Sequence, residues 1–447
     1  MRAGTIVASN YVEMAKVLGE SYVRHHPDNR FVILVVDDGD VGVLPAGVSA
    51  QRLDDLDLTS SESALMRTIY DVMEFSTAVK ASFLRGLLEH DDAACYLDPD
   101  IFVYGGFGDL LEATAGAGIV LTPHVLDPIP RDGRDPSEAM IMLSGIFNLG
   151  FIAVGRSALP FLDWWHERLV TDAIVDIESA LFTDQRWIDW VPALFDYQRC
   201  NDRGMNVAWW NVHERDVRLD DGAADSDGPR RATANGEPIR FVHFSGYDPL
   251  QPGTLSKHQF PTPRTAHDPG IGIRRLAEDY GRLLQEAGHL ERRAEPYGWA
   301  VSEHGVPLTP GVRRLVRDAV KDELAGGAAI DALSTPLAFG ESSDRLRSWL
   351  ETDDGGPEGL PVSRAERALW RSRDDLRRAF PDIDGPDARS YREWLRAEPA
   401  ARSALGDLRP AVADDVQLDP MSEAGLVLRT RSYLGRGARG VRSLTRR

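Results

Sequence analysis

Short unbroken apolar runs alternate with segments of helical spacing over the first half of the chain. Runs of this kind predict strands that are buried on both faces. They occupy residues 3–8, 31–36, 94–97, 118–121 and 145–154. Apolar residues recur at helical spacing over residues 10–26, 62–89 and 158–170. This alternation predicts an α/β fold around a parallel, Rossmann-like sheet.

The pattern changes after about residue 265, where strands give way to amphipathic helices. The predicted helices cover residues 273–287, 312–324, 344–352 and 364–380. The last stretch is rich in arginine and glycine, which predicts a flexible tail. We therefore expect an α/β domain at 1–264, a helical region at 265–428 and a tail at 429–447.

Composition narrows the class of protein. The chain has 70 acidic and 51 basic residues, and this net charge of −19 argues against a nucleic-acid-binding protein. No apolar run approaches the roughly 18 residues that a membrane span needs. The cysteines Cys95 and Cys200 permit one disulfide at most, and a reduced, cytoplasmic setting fits them best.

Two aspartates follow the third predicted strand. Asp98 and Asp100 are separated by Pro99, which stiffens the backbone between them. Ligands of open α/β sheets bind beyond the carboxyl ends of the strands. Two carboxylates in that position would suit Mg²⁺ or Mn²⁺ bound to a diphosphate. Asp-Pro-Asp is also ordinary turn chemistry, and the same spacing recurs at Asp38 and Asp40, so a simple turn stays open as an alternative.

A late strand is predicted at residues 238–246, and its end carries polar residues. His243 could supply a third metal ligand if it lies within about 5 Å of the two aspartates. A lone histidine is more often structural, and that alternative remains. Gly246 would allow a phosphate to approach the backbone closely. Lys257 could neutralise a diphosphate, with an ordinary exposed loop lysine as the alternative.

Over roughly residues 3–260 the motifs resemble those of GT-A glycosyltransferases, most closely the retaining, metal-dependent family 8, and they occur in the family's order. The matching segments are TIVASNY, VVDDG, TAVKASFLRGLL, YLDPD, FNLG, TDQ and VHFSG. The resemblance implies transfer of a sugar from a nucleoside-diphosphate sugar to an acceptor hydroxyl, with Mn²⁺ or Mg²⁺ as cofactor. It also suggests a place in polysaccharide or cell-envelope biosynthesis.

The resemblance assigns roles to individual residues. The metal ligands would be Asp98, Asp100 and His243. Two further residues, Asp184 and Gln185, would lie beside the anomeric carbon and act in catalysis. The donor-binding residues would be Ala8, Asn10, Tyr11, Asp37, Asp38, Lys80, Asn148, Gly150, Gly246 and Lys257. For Asn148 a structural role stays open, because a buried asparagine in an apolar strand needs partners in any case.

One segment departs from the family pattern and leaves other functions open. In the family the H-x-x-G motif is usually followed by a Lys-Pro-Trp segment, whereas residues 247–250 here read Tyr-Asp-Pro-Leu. A non-catalytic scaffold with a degenerate transferase domain is therefore one alternative. A sugar-nucleotide nucleotidyltransferase is another, disfavoured because no glycine-rich basic loop follows the first strand.

The acceptor side is less well defined by the sequence. A glycan, a lipid-linked molecule or a protein would each fit as acceptor. The loop at 125–138 is a candidate lid over the donor. The helical region could form a homodimer, and the tail could contact anionic lipid, with a solvated tail as the simpler alternative. Six tryptophans could stack on sugars, although core positions are commoner: Trp164, Trp165, Trp187, Trp190, Trp209 and Trp210.

Overall fold

The computed structural model describes residues 1–220, 231–259, 262–266, 271–352 and 354–398, together with 401, 405 and 408. The chain divides into two compact units, one ending at Ala300 and one beginning at Val301. The predicted tail at 429–447 lies outside the described residues.

The first unit is built around a mixed seven-stranded sheet. The strands of this unit are β1 (Arg2–Val7), β2 (Arg30–Val35), β3 (Val48–Arg52), β4 (Ala93–Leu97), β5 (Ile101–Val103), β6 (Ile119–Pro123), β7 (Phe147–Gly155), β8 (Val175–Asp176), β9 (Leu181–Phe182), β10 (Gln198–Arg199), β11 (Val217–Leu219), β12 (Ala232–Ala234), β13 (Glu237–Pro238) and β14 (Phe241–His243). The order in the main sheet is β10-β6-β7-β4-β1-β2-β3. The α/β class predicted from the sequence is thereby confirmed.

The direction of β7 corrects the prediction of an all-parallel sheet. Parallel pairing joins β4, β1, β2 and β3, and it also joins β10 to β6. By contrast, β7 runs antiparallel to both of its neighbours, β4 and β6. All nine residues of β7 are buried. A strand that is apolar on both faces has the same pattern in either direction, so the sequence could not reveal this reversal.

A two-stranded ribbon beside the main sheet carries the end of the late predicted strand. In this ribbon β5 pairs antiparallel with β14, and His243 lies opposite Ile101. The late strand predicted from the sequence thus lies in this ribbon and outside the main sheet. The turn at Asp98–Asp100 carries the chain out of β4 and into the ribbon, so both groups still meet at one place.

Helices cover the sheet of the first unit. They are α1 (Val12–His25), α2 (Ser60–Ile69), α3 (Val72–Ala78), α4 (Lys80–Leu88), α5 (Gly108–Ala117), α6 (Glu138–Ser144), α7 (Leu159–Asp172), α8 (Val191–Leu194), α9 (Ile271–Glu286) and α10 (His289–Arg292). On α1 the predicted apolar stripe is fully buried: Val12, Ala15, Leu18 and Tyr22 have no exposed surface. Burial of such a stripe against the sheet is the main source of stability for a helix of this kind.

The division between the units lies later than the predicted boundary of 264/265. Helix α9 packs its apolar face, including Leu276, Tyr280 and Leu284, into the same buried cluster as Val242 and Phe244 of the first unit. The amino-acid composition changes near residue 265, where the predicted strands end. Helix α9 nevertheless completes the hydrophobic core that those strands form. The division therefore falls between residues 300 and 301.

The second unit is helical in the part that the structure describes. Its helices are α11 (Pro310–Ala325), α12 (Leu346–Glu351), α13 (Arg364–Arg371), α14 (Asp374–Ala379) and α15 (Ala388–Ala397). Helix α13 begins with a capping box, in which Ser363 and Glu366 satisfy each other's backbone N–H groups. The predicted segment 364–380 is thus two helices rather than one.

Two further predictions can be compared with the described residues. No helix among them is long and apolar enough to cross a membrane. Cys95 and Cys200 are both free and buried, and no disulfide joins them.

Candidate metal and donor-binding site

The turn after β4 presents the two aspartates. The N–H of Asp98 donates to the carbonyl of Gly150 at 2.8 Å, and the carbonyl of Asp98 accepts from Ile101 N–H at 3.0 Å. These bonds fix the backbone on both sides of Pro99. The side chains of Asp98 and Asp100 remain 29% and 27% exposed, so a ligand can reach them.

His243 completes a group of three potential metal ligands. Its Nε2 lies 3.0 Å from Oδ1 of Asp100 and 3.7 Å from Oδ2 of Asp98. One ligand atom from each of the three residues can be chosen so that all lie within 4.8 Å of one another. The imidazole is 3% exposed. The separation of about 5 Å that a shared ion requires is therefore met.

The electrostatics of these three groups favour a bound cation. Burial raises the pKa of Asp98, and the neighbouring Asp100 raises it further. Burial also opposes ionisation of Asp100, but the charge of His243 and the hydrogen bonds from His243 and from backbone N–H groups together lower the pKa of that carboxyl. Burial lowers the pKa of His243, yet Asp100 and Asp98 together raise it above its ordinary value. Two oxygen donors and one imidazole are a suitable ligand set for Mn²⁺ or Mg²⁺, so the residues present fit such an ion.

Lys80 and Asp184 lie directly beside this group. Lys80 begins α4 and is 1% exposed. Its Nζ lies 2.6 Å from Oδ2 of Asp184, 4.0 Å from Oδ1 of Asp98 and 3.0 Å from the carbonyl of Leu149. The ammonium also sits 4.1 Å from the ring centroid of Tyr96, whose hydroxyl donates to Asp98 at 2.7 Å. Lys80 therefore links the predicted catalytic Asp184 to the predicted ligand Asp98.

Asn148 and Gln185 lie behind His243 and are held by the protein itself. Oδ1 of Asn148 lies 3.0 Å from Nδ1 of His243. The side chain of Gln185 accepts from Leu149 N–H at 2.9 Å and donates to the carbonyl of Ser144 at 2.8 Å. Both side chains are at least nine-tenths buried. The structure thus brings these two predicted residues to the site, with their polar atoms already engaged.

Gly150 leaves room for a protein side chain. A Cβ added at Gly150 would lie 2.5 Å from Nδ1 of His243 and would also overlap its Cε1. Any larger residue would therefore displace the ring from the two aspartates. The imidazole of His243 thus fills the space beside Gly150, which the resemblance to family 8 assigns to donor binding.

Sequence reasoning missed His124 and Tyr96. His124 follows β6, is 5% exposed and packs its ring edge-on against Trp210, which also packs against His243. A histidine at the end of a predicted strand is a signal that could have found His124. Tyr96 lies inside an apolar strand, and nothing in its sequence context marks the hydroxyl.

The predicted nucleoside-binding residues gather at the ends of β1 and β2. Asp37 accepts from the N–H of Ser9 at 2.8 Å, from its hydroxyl at 3.1 Å and from Gly298 N–H at 3.2 Å. Asp37 thereby ties the two strand ends together, while Asp38 is exposed. Ala8 is 2% exposed and directly precedes Ser9, which donates to Asp37.

Asn10 and Tyr11 lie in the turn between β1 and α1, next to the segment 289–299. Asn10 donates to the carbonyl of Glu295 at 3.2 Å, and Tyr11 is 39% exposed with its ring edge-on to His289. Trp299 adds a hydrogen bond from its indole N–H to the carbonyl of Val36 at 2.7 Å. Sequence reasoning missed the contacts of this segment with the ends of β1 and β2, because it assigned these residues to the helical region.

Gly246 and Lys257 meet in the loop that follows His243. The N–H of Lys257 donates to the carbonyl of Gly246 at 2.8 Å, and the lysine side chain is exposed. Gly246 has φ of +70°, a conformation that other residues rarely adopt. The same loop begins at Phe244, whose N–H donates to the carbonyl of Asp100 at 2.9 Å. Lys257 is thus close in the fold to the aspartates, although it lies on the surface.

The candidate lid at 125–138 is anchored at its start and in its middle. Glu214 accepts from the N–H groups of Leu126 and Asp127 at the start of the loop. Arg264 donates to Asp132 at 2.7 Å and to two carbonyls of the same loop.

Of the six tryptophans, Trp165 and Trp210 are buried, whereas Trp190 is 56% exposed.

Comparisons with known proteins add the following. No family model and no curated protein matches the chain. A solved structure of the galactosyltransferase LgtC with donor and acceptor sugar analogues is 17% identical over 64% of this chain and 100% of that chain, with a TM-score of 0.35. The glycosyltransferase GlyE of Streptococcus pneumoniae is 14% identical over 65% of this chain and 64% of that chain, with a TM-score of 0.33. Those two proteins are glycosyltransferases.

Proposed function

We propose that this protein is a metal-dependent glycosyltransferase of the GT-A type, which moves a sugar from a nucleoside-diphosphate sugar to an acceptor hydroxyl. The observation that carries the proposal is the convergence of Asp98, Asp100 and His243, whose ligand atoms lie within 4.8 Å of one another. They come from two different segments of the chain, and the two carboxylates remain accessible at the end of a strand. Ligands of α/β folds bind at this end.

Asp98, Asp100 and His243 would hold Mn²⁺ or Mg²⁺, which when bound supplies Lewis-acid neutralisation of a leaving diphosphate. Lys80 would keep Asp184 paired and add positive charge behind Asp98. The exposed Lys257 would reach the diphosphate from the loop that contains Gly246. Asp184 and Gln185 would act by holding the site in position, because their polar atoms are already bonded within the protein.

The nucleoside would lie at the ends of β1 and β2. Ala8, Asn10 and Tyr11 would line it on one side, and Asp37 and Asp38 on the other. Asp37 would act chiefly through the backbone that it holds in place. Asn148 and Gly150 would shape the sugar subsite through His243 rather than through free polar atoms.

The proposal is tested with a panel of nucleoside-diphosphate sugars, each incubated with Mn²⁺ or Mg²⁺. We expect one donor to yield free nucleoside diphosphate slowly in the absence of acceptor, and we expect Asp98→Asn to abolish this release. Asp92→Asn is the matched control, since Asp92 precedes the opposite end of β4 and is 86% exposed. Pyrophosphate as the product would instead indicate a nucleotidyltransferase, and binding without turnover would indicate a scaffold.

Once the donor is known, further experiments can test the stereochemistry and the acceptor. The anomeric configuration of the transferred sugar, read by NMR, tests the proposed retention. For a lipid-linked acceptor, sedimentation with vesicles that contain anionic lipid, with and without residues 429–447, tests the proposed membrane contact. Sedimentation equilibrium of the full chain tests the proposed homodimer.

A further inference from the structure

A chain of buried hydrogen bonds lies behind His243. Nδ1 of His243 lies 3.0 Å from Oδ1 of Asn148. Nδ2 of Asn148 lies 3.4 Å from Nε2 of His124 and 3.5 Å from Oε1 of Gln185. All four side chains are more than nine-tenths buried. Because buried polar atoms need partners, the orientation of each group constrains the next one.

The amide of Gln185 is oriented by two backbone groups. Its Oε1 accepts from the N–H of Leu149 at 2.9 Å, and its Nε2 donates to the carbonyl of Ser144 at 2.8 Å. A backbone N–H can only donate and a carbonyl can only accept. The oxygen of Gln185 must therefore be the atom that faces Asn148.

The ring of His124 is oriented by a third backbone group. Its Nδ1 lies 3.2 Å from the carbonyl of Ile146, so Nδ1 carries the proton. Burial lowers the pKa of His124 to about 4, which keeps the ring neutral near pH 7. In a neutral imidazole with a proton on Nδ1, Nε2 is an acceptor. His124 therefore also presents an acceptor to Asn148.

These two acceptors determine which way Asn148 points. Its NH₂ group must face His124 and Gln185, so its oxygen must face Nδ1 of His243. We propose that Gln185 and His124, acting through Asn148, are positioning residues that keep a proton of His243 on Nδ1, so that Nε2 is the atom that gives up its proton and binds a cation held by Asp98 and Asp100. The purpose of that cation rests on the proposed function. The hydrogen-bond chain does not, because it consists of protein side chains alone.

A spectroscopic test on the metal-free protein examines the chain directly. Long-range ¹H–¹⁵N correlation spectra of ¹⁵N-histidine-labelled protein at alkaline pH distinguish a protonated Nδ1 from an unprotonated one. We expect a protonated Nδ1 in both His243 and His124, with the signals assigned from His243→Gln and His124→Gln. An unprotonated Nδ1 in His243 would overturn the proposal. In Asn148→Leu we expect the His243 proton to move to Nε2, where Asp100 accepts it at 3.0 Å.

Binding of Mn²⁺, followed by electron paramagnetic resonance, gives a second readout. Loss of an outer-shell partner typically weakens metal binding by about 10- to 100-fold. We expect the affinity of Asn148→Leu for Mn²⁺ to fall by a factor in that range. The affinity of His124→Leu should fall less, because Gln185 still orients Asn148. Thr122→Val is the matched control: its hydroxyl donates to the backbone carbonyl of Asn148 at 3.3 Å, outside the chain of side chains. Equal loss in Thr122→Val and Asn148→Leu would contradict the positioning role.

The two proposals fail in different ways. If the wild-type protein bound no Mn²⁺ but His243 kept its proton on Nδ1, the proposed function would fail while the positioning chain stood. If Mn²⁺ bound and the proton of His243 were on Nε2 in the metal-free protein, the positioning chain alone would fail. Thermal unfolding of each variant, followed by circular dichroism, establishes that it is folded at the temperature of the assay.

Discussion

Two clusters of charged residues in the first unit differ in how their carboxylates are satisfied. Glu214 is 1% exposed and accepts from Arg215 at 2.6 Å and from two backbone N–H groups of the loop at 125–138. Arg203 pairs in turn with Asp127 of that loop at 2.8 Å. At the end of β4, in contrast, Asp98 and Asp100 share one imidazole, and the nearest ammonium is 4.0 Å from Asp98 and closer to Asp184.

This difference distinguishes the cluster at Glu214 from the proposed metal site. Both carboxylate oxygens of Glu214 accept from protein donors, so no further ligand is required there. The pair of aspartates retains negative charge close to a buried histidine, and a cation would resolve that imbalance. Both clusters come from the same acidic sequence, and only the folded arrangement shows which carboxylates are matched.

The strongest contrast should come from Asp100→Asn. We expect turnover to fall by at least about 10²- to 10³-fold, as when one charge-stabilising group of an active site is removed. Stability should fall slightly, because the pairing of ionised Asp100 with His243, which lowers the pKa of Asp100, favours the folded state. Steady-state kinetics with the donor identified above, together with urea unfolding, measures both quantities. Wild-type turnover in this variant would remove the distinction between the two clusters.

The reverse result is expected for Glu214→Gln. The new NH₂ group would face backbone N–H donors, so we expect the free energy of unfolding to fall by about 3 kcal/mol, typical when one partner of a buried pair is removed. The affinity for Mn²⁺ should stay within about twofold of wild type, because Glu214 takes no part in the metal site. Urea unfolding and titration calorimetry give the two values. A large loss of Mn²⁺ affinity would show that the clusters are not independent.

Gly150→Ala tests whether the close packing of His243 against Gly150 matters for metal binding. The added Cβ would overlap the ring of His243, so we expect the affinity for Mn²⁺ to fall about tenfold, as for a misplaced ligand. Gly86→Ala on α4 is the control, since a Cβ there meets nothing within 4 Å. That control should be slightly more stable, by about 0.5–1 kcal/mol. If the two variants bound Mn²⁺ equally well, the close fit of His243 would not matter for binding.

The smallest effect concerns a histidine away from both clusters. Burial lowers the pKa of His26 to about 4, and its Nε2 accepts from Phe107 N–H at 3.4 Å. The unfolded chain therefore takes up this proton first as the pH falls below about 6.5, and the folded state loses stability between about pH 6.5 and pH 4. We expect His26 to contribute less than about 1.4 kcal/mol per pH unit. The free energies of unfolding at pH 7 and at pH 5 should differ less in His26→Gln than in wild type.

The sequence predicted the repeating elements better than the relations between them. The apolar stripe on α1 was predictable because its helical period appears in the sequence itself. The position of Asp98 and Asp100 after a strand was predictable because they follow an apolar run. The direction of β7 was not, since its pattern is the same both ways. His124 and Trp299 were missed because their contributions depend on distant partners, Asn148 and the carbonyl of Val36.

The position of His243 on β14, far along the chain from Asp98 and Asp100, has a consequence for how long the protein survives. An ion held by all three would act as a reversible cross-link that closes a long loop of chain. Any ligand that binds only the folded state adds stability in proportion to the logarithm of its concentration relative to its dissociation constant. The supply of divalent metal would then set the resistance of the first unit to unfolding and proteolysis, even when no sugar donor is present.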